Sequence, residues 1–204
     1  AICQFKVEGQ LIKKHPEWNM KERLLLDKID YKQGTIKLGG KEYPLNDTYF
    51  PTIDPKDPYK LTHEEEDVVE RLKNSFLGSE RLQRHIRFLY TKGSLYKVYN
   101  GNLLYHGCVP LNEDGSFMKV RIFDKTYSGK ALYDILEHYA RKGYYSIDPQ
   151  EKQRGEDILW FIWKNKHSPV FGKERMATFE RYFIDATETH EEPKNAYYRL
   201  FEKE

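Results

Sequence analysis

An imidazole can ligate a metal or move a proton near neutral pH, so the histidines are the first residues to weigh for chemistry. Seven are present, at positions 15, 63, 85, 106, 138, 167 and 190. None belongs to a His-Glu-x-x-His pair and no Cys-x-x-Cys occurs, so no self-contained zinc site is indicated. His106 stands apart. It ends the apolar run Leu103-Leu104-Tyr105 and is followed at once by Gly107-Cys108. A histidine at a strand end beside a glycine is well placed to face a cleft, because the glycine lets a ligand or a neighbouring backbone approach closely. His106 also reads as an ordinary core or surface histidine, and spacing alone favours that reading. Cys108 reads as a soft ligand or, more commonly for its type, as a small buried residue.

The cations near the C-terminal end are the second group. Lys173 follows Gly172, and Arg175 and Arg181 come shortly after. The three can border a phosphate pocket, or simply face solvent and pair with neighbours such as Glu180. A glycine-rich phosphate loop is absent. The acidic group Glu64, Glu65, Glu66 and Asp67 falls at an expected helix start, where the helix dipole accounts for it without any metal. Trp160, Phe161 and Trp163 read as core, as an interface or as a stacking platform; the interleaved basic residues that nucleic-acid binding needs are missing.

Several elements must position these residues. Residues 1 to 30 read as helical with a weak point at His15-Pro16-Glu17, giving two helices or one kinked helix. Gly39-Gly40 between two short alternating runs predicts a hairpin over residues 34 to 45. Residues 46 to 61, with Pro51, Pro55 and Pro58, read as an extended surface strap. Thr62 with Glu65 forms a capping box, predicting a helix from about His63 to Ser75. After a break at Gly78-Ser79 a second helix is expected from about Glu80 to Thr91, with Leu82, Ile86, Phe88 and Leu89 on its apolar side. Asn100-Gly101 joins two strand-like runs, Leu95 to Tyr99 and Leu103 to Cys108, in the strongest local hairpin signal. Phe117 to Phe123 reads as a further strand, and Lys130 to Arg141 as a helix closed by Gly143. Residues 144 to 155 read as a loop, 157 to 163 as a short helix, 174 to 184 as a last helix, and the rest as a charged, tyrosine-rich tail.

Bulk numbers bound the class. The 204 residues suffice for one domain with a core or for two small lobes. Sixteen Tyr and eleven Phe point to a core with polar rims. A net charge of +2 on 32% charged residues sets up no strong steering field, so nucleic acid is not implied. No run of eighteen apolar residues indicates a membrane span, and no signal peptide is legible at the first residues. Two distant cysteines, Cys3 and Cys108, suit a cytoplasmic setting rather than a disulfide framework.

From Asn100-Gly101-Asn102-Leu103-Leu104-Tyr105-His106-Gly107-Cys108-Val109-Pro110-Leu111 the chain resembles the class 3 fructose-1,6-bisphosphatases typical of Firmicutes and some Bacteroidetes. The likeness continues through Gln4 to Ile12, Arg23 to Asp30, Asp47 to Pro55, Gly129 to Leu132, Ser168 to Lys173 and Ala177 to Phe183, and so covers essentially the whole chain. The resemblance implies a calcineurin-like metallophosphoesterase that removes the 1-phosphate of fructose 1,6-bisphosphate in gluconeogenesis with manganese. It implies a sandwich of two mixed sheets, and it places on His106 the imidazole of a His-Gly pair that ligates the metals. The Asp-x-His, Gly-Asp-x-x-Asp and Asn-His motifs that the group also needs, and its final Gly-His region, do not occur in residues 1 to 204.

The expected fold class is therefore α+β: a helix-rich region with a small hairpin over residues 1 to 93, then part of a catalytic sandwich over 94 to 204, with strands at about 94 to 123. The expected function is that of an internal piece of a bisphosphatase, inactive alone and binding manganese weakly or not at all. His106 is the catalytic and metal-ligating candidate, and Lys173, Arg175 and Arg181 are substrate-phosphate candidates. The expected partner is a small sugar bisphosphate, without nucleic acid or membrane, with a homo-oligomer as a further option. A non-catalytic binding or oligomerisation module of the same ancestry is the alternative, its sign being Trp160 and Trp163 exposed at a symmetric interface.

Overall fold

A computed structural model describes residues 1 to 202. The first helix, α1 (Ile2–Lys14), stops where Pro16 denies the next turn its N–H donor. No second α-helix forms before residue 30. Three short 3₁₀ turns, Pro16–Trp18, Lys21–Arg23 and Leu26–Lys28, carry the chain onward, with Asn19 left-handed at φ 54°. Tertiary burial explains the departure: Leu25 and Leu26 both enter the core, and the Leu26 N–H donates to the Tyr59 hydroxyl at 3.1 Å instead of to a helical carbonyl.

Strands β1 (Ile29–Asp30), β2 (Thr35–Leu38) and β3 (Lys41–Pro44) form one antiparallel sheet, with the expected Gly39-Gly40 turn between β2 and β3. Ile36 and Leu45 join Phe5, Leu26, Tyr59, Phe179 and Phe183 in one apolar cluster. The strap thus carries a core anchor, Tyr59. Helix α2 (His63–Leu77) starts at the capping box: Thr62 Oγ accepts from the Glu65 N–H at 3.3 Å, and Glu65 accepts from the Thr62 N–H at 2.9 Å. Glu65 also pairs with the fully buried Lys6 at 2.7 Å, so one carboxylate serves both as cap and as counter-ion.

The chain divides into two compact units, Ala1–Ser79 with Ala177–Glu191, and Glu80–Met176 with the segment from Glu192 onward. The division falls at Ser79 rather than at Gly93, for a physical reason. Helix α3 (Glu80–Lys92) stacks Tyr90 on Tyr144 at 4.8 Å, and the Arg141 guanidinium donates to the Gly93 carbonyl at 2.7 Å. The return of Ala177–Glu191 to the first unit is equally concrete: helix α6 (Thr178–Phe183) supplies Phe179, whose ring meets Phe5 edge-on at 5.3 Å. The last helix expected over 174 to 184 is limited to those six residues.

In the second unit, β4 (Tyr96–Tyr99) and β5 (Asn102–Tyr105) form the hairpin predicted from Asn100-Gly101, whose φ values are 49° and 74°. The strand expected at 117 to 123 is β6 (Val120–Ile122), and it pairs with β7 (Lys125–Tyr127) across a turn that puts Phe123 at φ 52°. That turn lacks the usual Asn or Gly, so β7 gave no sequence signal. Each hairpin is its own two-stranded sheet, and all three sheets among the described residues are antiparallel. The α+β class holds, while these residues do not themselves assemble the mixed-sheet sandwich.

Helices α4 (Gly129–Tyr145) and α5 (Pro149–Lys164) pack on each other and bury Leu132, Leu136, Ile158 and Phe161 completely. Gly143 does not close α4. It lies inside the helix where the two backbones meet, and a Cβ on it would come within 2.7 Å of the Gly155 carbonyl carbon. The loop expected over 144 to 155 is mostly α5, whose start is marked by Asp148, accepting from the Glu151 N–H at 2.8 Å, and by Pro149 in the first turn. The tail is also structured, with a 3₁₀ turn Thr187–His190 in the first unit and helix α7 (Ala196–Phe201) in the second.

Candidate functional site

His106 follows β5 directly and its side chain is exposed. The loop carrying it is held tightly from behind. Gly107 has φ 93°, and a Cβ there would fall 2.4 Å from the Pro169 carbonyl oxygen, so only glycine allows this close approach. The Cys108 N–H donates to that same oxygen at 2.8 Å. The Tyr198 hydroxyl donates to the Gly107 carbonyl at 2.9 Å, and the Tyr133 hydroxyl donates to the Cys108 carbonyl at 2.7 Å. Every donor and acceptor of the loop's buried backbone named here is therefore matched, and the imidazole is presented outward on a rigid support.

Cys108 is fully buried. Its thiol donates to the Ser168 carbonyl at 3.6 Å, and its sulfur accepts from Asn195 Nδ2 at 3.0 Å. Burial pushes the Cys108 thiol up from its ordinary value, which disfavours the thiolate that a metal would require. Beside it Tyr105 and Tyr197 share a hydroxyl–hydroxyl contact of 2.5 Å, and that hydrogen bond, with burial, pushes Tyr197 up to about 12.

A cleft of about 200 Å³ is lined by Pro110, Glu113, His167, Glu174 and Asn195, the last of which also bonds Cys108. His167 is partly buried, and desolvation brings it down to about 4, so its imidazole is neutral at physiological pH. Arg199 spans the two carboxylates, Glu113 and Glu174, and offsets part of their charge.

The cations predicted to form a phosphate pocket fall in different units. Lys173 pairs with the Glu192 carboxylate, and Arg175 is partly buried two residues on, both in the second unit. Arg181 belongs to the first unit, where its guanidinium donates to the His190 carbonyl at 3.1 Å. The structure does not gather the three within either unit. Among the described residues no three His, Cys, Asp or Glu side chains come together as a metal-ligand set. One exposed imidazole does not hold a two-metal centre, so these residues by themselves do not fit the metal pair implied by resemblance. Sequence reasoning missed Tyr133, Asn195 and Tyr198, which hold the loop. Tyr198 and Asn195 lie in the expected tail, where the spacing of Ala196, Tyr197 and Leu200 was the one helical signal.

The profile of the Firmicute fructose-1,6-bisphosphatase family matches residues 1 to 204, and the chain belongs to this family. It is 57% identical over 205 residues to the class 3 fructose-1,6-bisphosphatase of Clostridioides difficile, covering all of this chain and 31% of that protein. It is 53% identical over 204 residues to a class 3 fructose-1,6-bisphosphatase of Clostridium beijerinckii and 55% identical over 205 residues to that of Clostridium tetani, again with 31% of each relative covered. The chain thus spans about a third of the length of the curated relatives it matches. No solved structure matches it.

Proposed function

We propose that this chain is one part of a class 3 fructose-1,6-bisphosphatase that hydrolyses the 1-phosphate of fructose 1,6-bisphosphate, a step of gluconeogenesis carried out in the cytoplasm. His106 contributes one imidazole to a manganese site whose other ligands belong to polypeptide outside these 204 residues. The supporting observation is the combination of the family match along the whole chain with an exposed imidazole on a loop fixed by Gly107. No helix among the described residues is long and apolar enough to cross a membrane.

The test places this chain in the C. difficile enzyme in exchange for the matching 205 residues. The chimera is expected to release phosphate with manganese, and the isolated chain to release none. His106→Ala in the chimera is expected to lower kcat/KM at least about 100-fold without changing the circular dichroism, because the side chain is exposed. A His106→Ala chimera with full activity would overturn the assignment.

One observation favours a second reading, an oligomerisation module: Trp163 on α5 is 72% exposed, although Trp160, the other expected sign, is partly buried. Sedimentation velocity of the isolated chain and of its Trp163→Ser variant separates the two, since only a module of that kind forms an oligomer that the substitution dissolves.

A further inference from the structure

The β4–β5 hairpin has no buried residue on either face. Tyr96, Val98, Leu103 and Tyr105 share one face, as the register Tyr96↔Tyr105 and Val98↔Leu103 requires. Together with Val109, Phe117 and Tyr133 they line an apolar groove of about 330 Å³. Val98, Leu103 and Phe117 are each more than half exposed there. The rim is polar: Lys130 lies 5.5 Å over the Tyr96 ring and pairs with Asp134 at 2.6 Å. A two-stranded sheet is also open along both edges, and such a sheet is at best marginal without cover. An apolar floor inside a polar rim is the anatomy of an interface, not of a free surface.

We infer that this groove is an intramolecular docking surface, and that its occupant is the remainder of the bisphosphatase polypeptide, the roughly two-thirds of the relatives' length that lies outside the matched region. The amount of chain to be accommodated argues for that occupant over a foreign partner. So does position: the same strand that floors the groove, β5, ends at Tyr105 and delivers the exposed His106 immediately after it. His106 itself is not among the residues that line the groove, so its link to a seated segment runs along the strand. The exposed apolar face stands by itself; its occupant and its link to His106 rest on the proposed function, in which this chain is one part of a longer bisphosphatase.

The test compares hydrogen exchange at the backbone amides of residues 96 to 105 in the isolated chain and in the C. difficile chimera. Exchange in the chimera is expected to be slower by at least about tenfold. The double substitution Val98→Asp with Leu103→Asp is expected to leave the melting temperature of the isolated chain within about 2 °C, and to remove the added protection in the chimera. The milder pair Val98→Thr with Leu103→Gln serves if the aspartates prevent the chimera from folding. Equal exchange in both proteins overturns the inference, as does protection that survives the substitutions. It is also overturned if the isolated chain forms a dimer, by sedimentation, that Leu103→Asp dissolves, since a second copy is then the occupant. Phosphatase activity is read separately: a protected hairpin in an inactive chimera leaves the docking surface standing and rejects the catalytic reading.

Discussion

Two hairpins in this molecule are built from the same local instructions and meet opposite fates. In β2–β3 a Gly39-Gly40 turn joins strands of four residues, and Ile36 is fully buried in the first unit's core. In β4–β5 an Asn100-Gly101 turn joins strands of the same length, and Leu103 is 56% exposed. The turns dictate that each chain reverses, because only residues tolerant of positive φ fit there. They say nothing about cover. The first hairpin found it in Phe5, Phe179 and Tyr59; the second awaits it.

Substitution makes the contrast quantitative. Ile36→Ala removes a side chain with no exposure and is expected to cost about 4 kcal/mol, read by urea denaturation, whereas Leu103→Ala should cost under about 0.5 kcal/mol in the isolated chain. Comparable losses at the two sites would mean that the second hairpin is already covered.

Ion pairs repeat the comparison. Glu180 is almost wholly buried and receives the Arg23 guanidinium at 2.7 and 3.2 Å. Arg23→Ala strands that carboxylate and is expected to cost about 3 kcal/mol. Lys130→Ala removes an exposed pair with Asp134 and should leave the urea midpoint unchanged. Segment-resolved hydrogen exchange assigns each loss to its own unit.

Acid should weaken the second unit through His167. Its folded-state value of about 4 lies below the usual 6.5. As pH falls through 6.5 the unfolded chain takes up a proton that the folded chain refuses, so stability declines until about pH 4 and then levels. The full loss from this group is about 3 kcal/mol. His167→Gln should flatten that part of the pH profile, and an unchanged slope would remove His167 as its cause.

A loss smaller than those at Ile36, Arg23 and His167 is expected at α2, which buries no residue and leans on its N-terminal cap. Thr62→Ala should cost about 1 kcal/mol, seen as faster exchange in its first turn and nowhere in the second unit.

Local chemistry made much of this legible. The capping box at Thr62 and Glu65, both glycine-marked hairpins and the stop at Pro16 are all written within four residues of where they act. The misread stretches depend on distant partners. Leu24 to Lys28 forms turns because Leu25 and Leu26 have a core to enter, and Gly143 stays within the last turn of α4 because Gly155, twelve positions on, offers a backbone to pack against. Residues 149 to 156 carry no large apolar side chain, so periodicity was silent while Asp148-Pro149 carried the signal.

The candidate site divides in the same way. The sequence by itself determined that His106 ends a strand, that a glycine comes directly after it, and that the chain resembles the bisphosphatases along its length. Only the tertiary structure decided that the imidazole is exposed, that Pro169, Tyr133 and Tyr198 hold its loop, and that Cys108 is locked away as a thiol. The reason is physical: turn and cap preferences are set by a few adjacent dihedrals, whereas burial and hydrogen-bond partners are set by which surfaces the rest of the polypeptide brings against them.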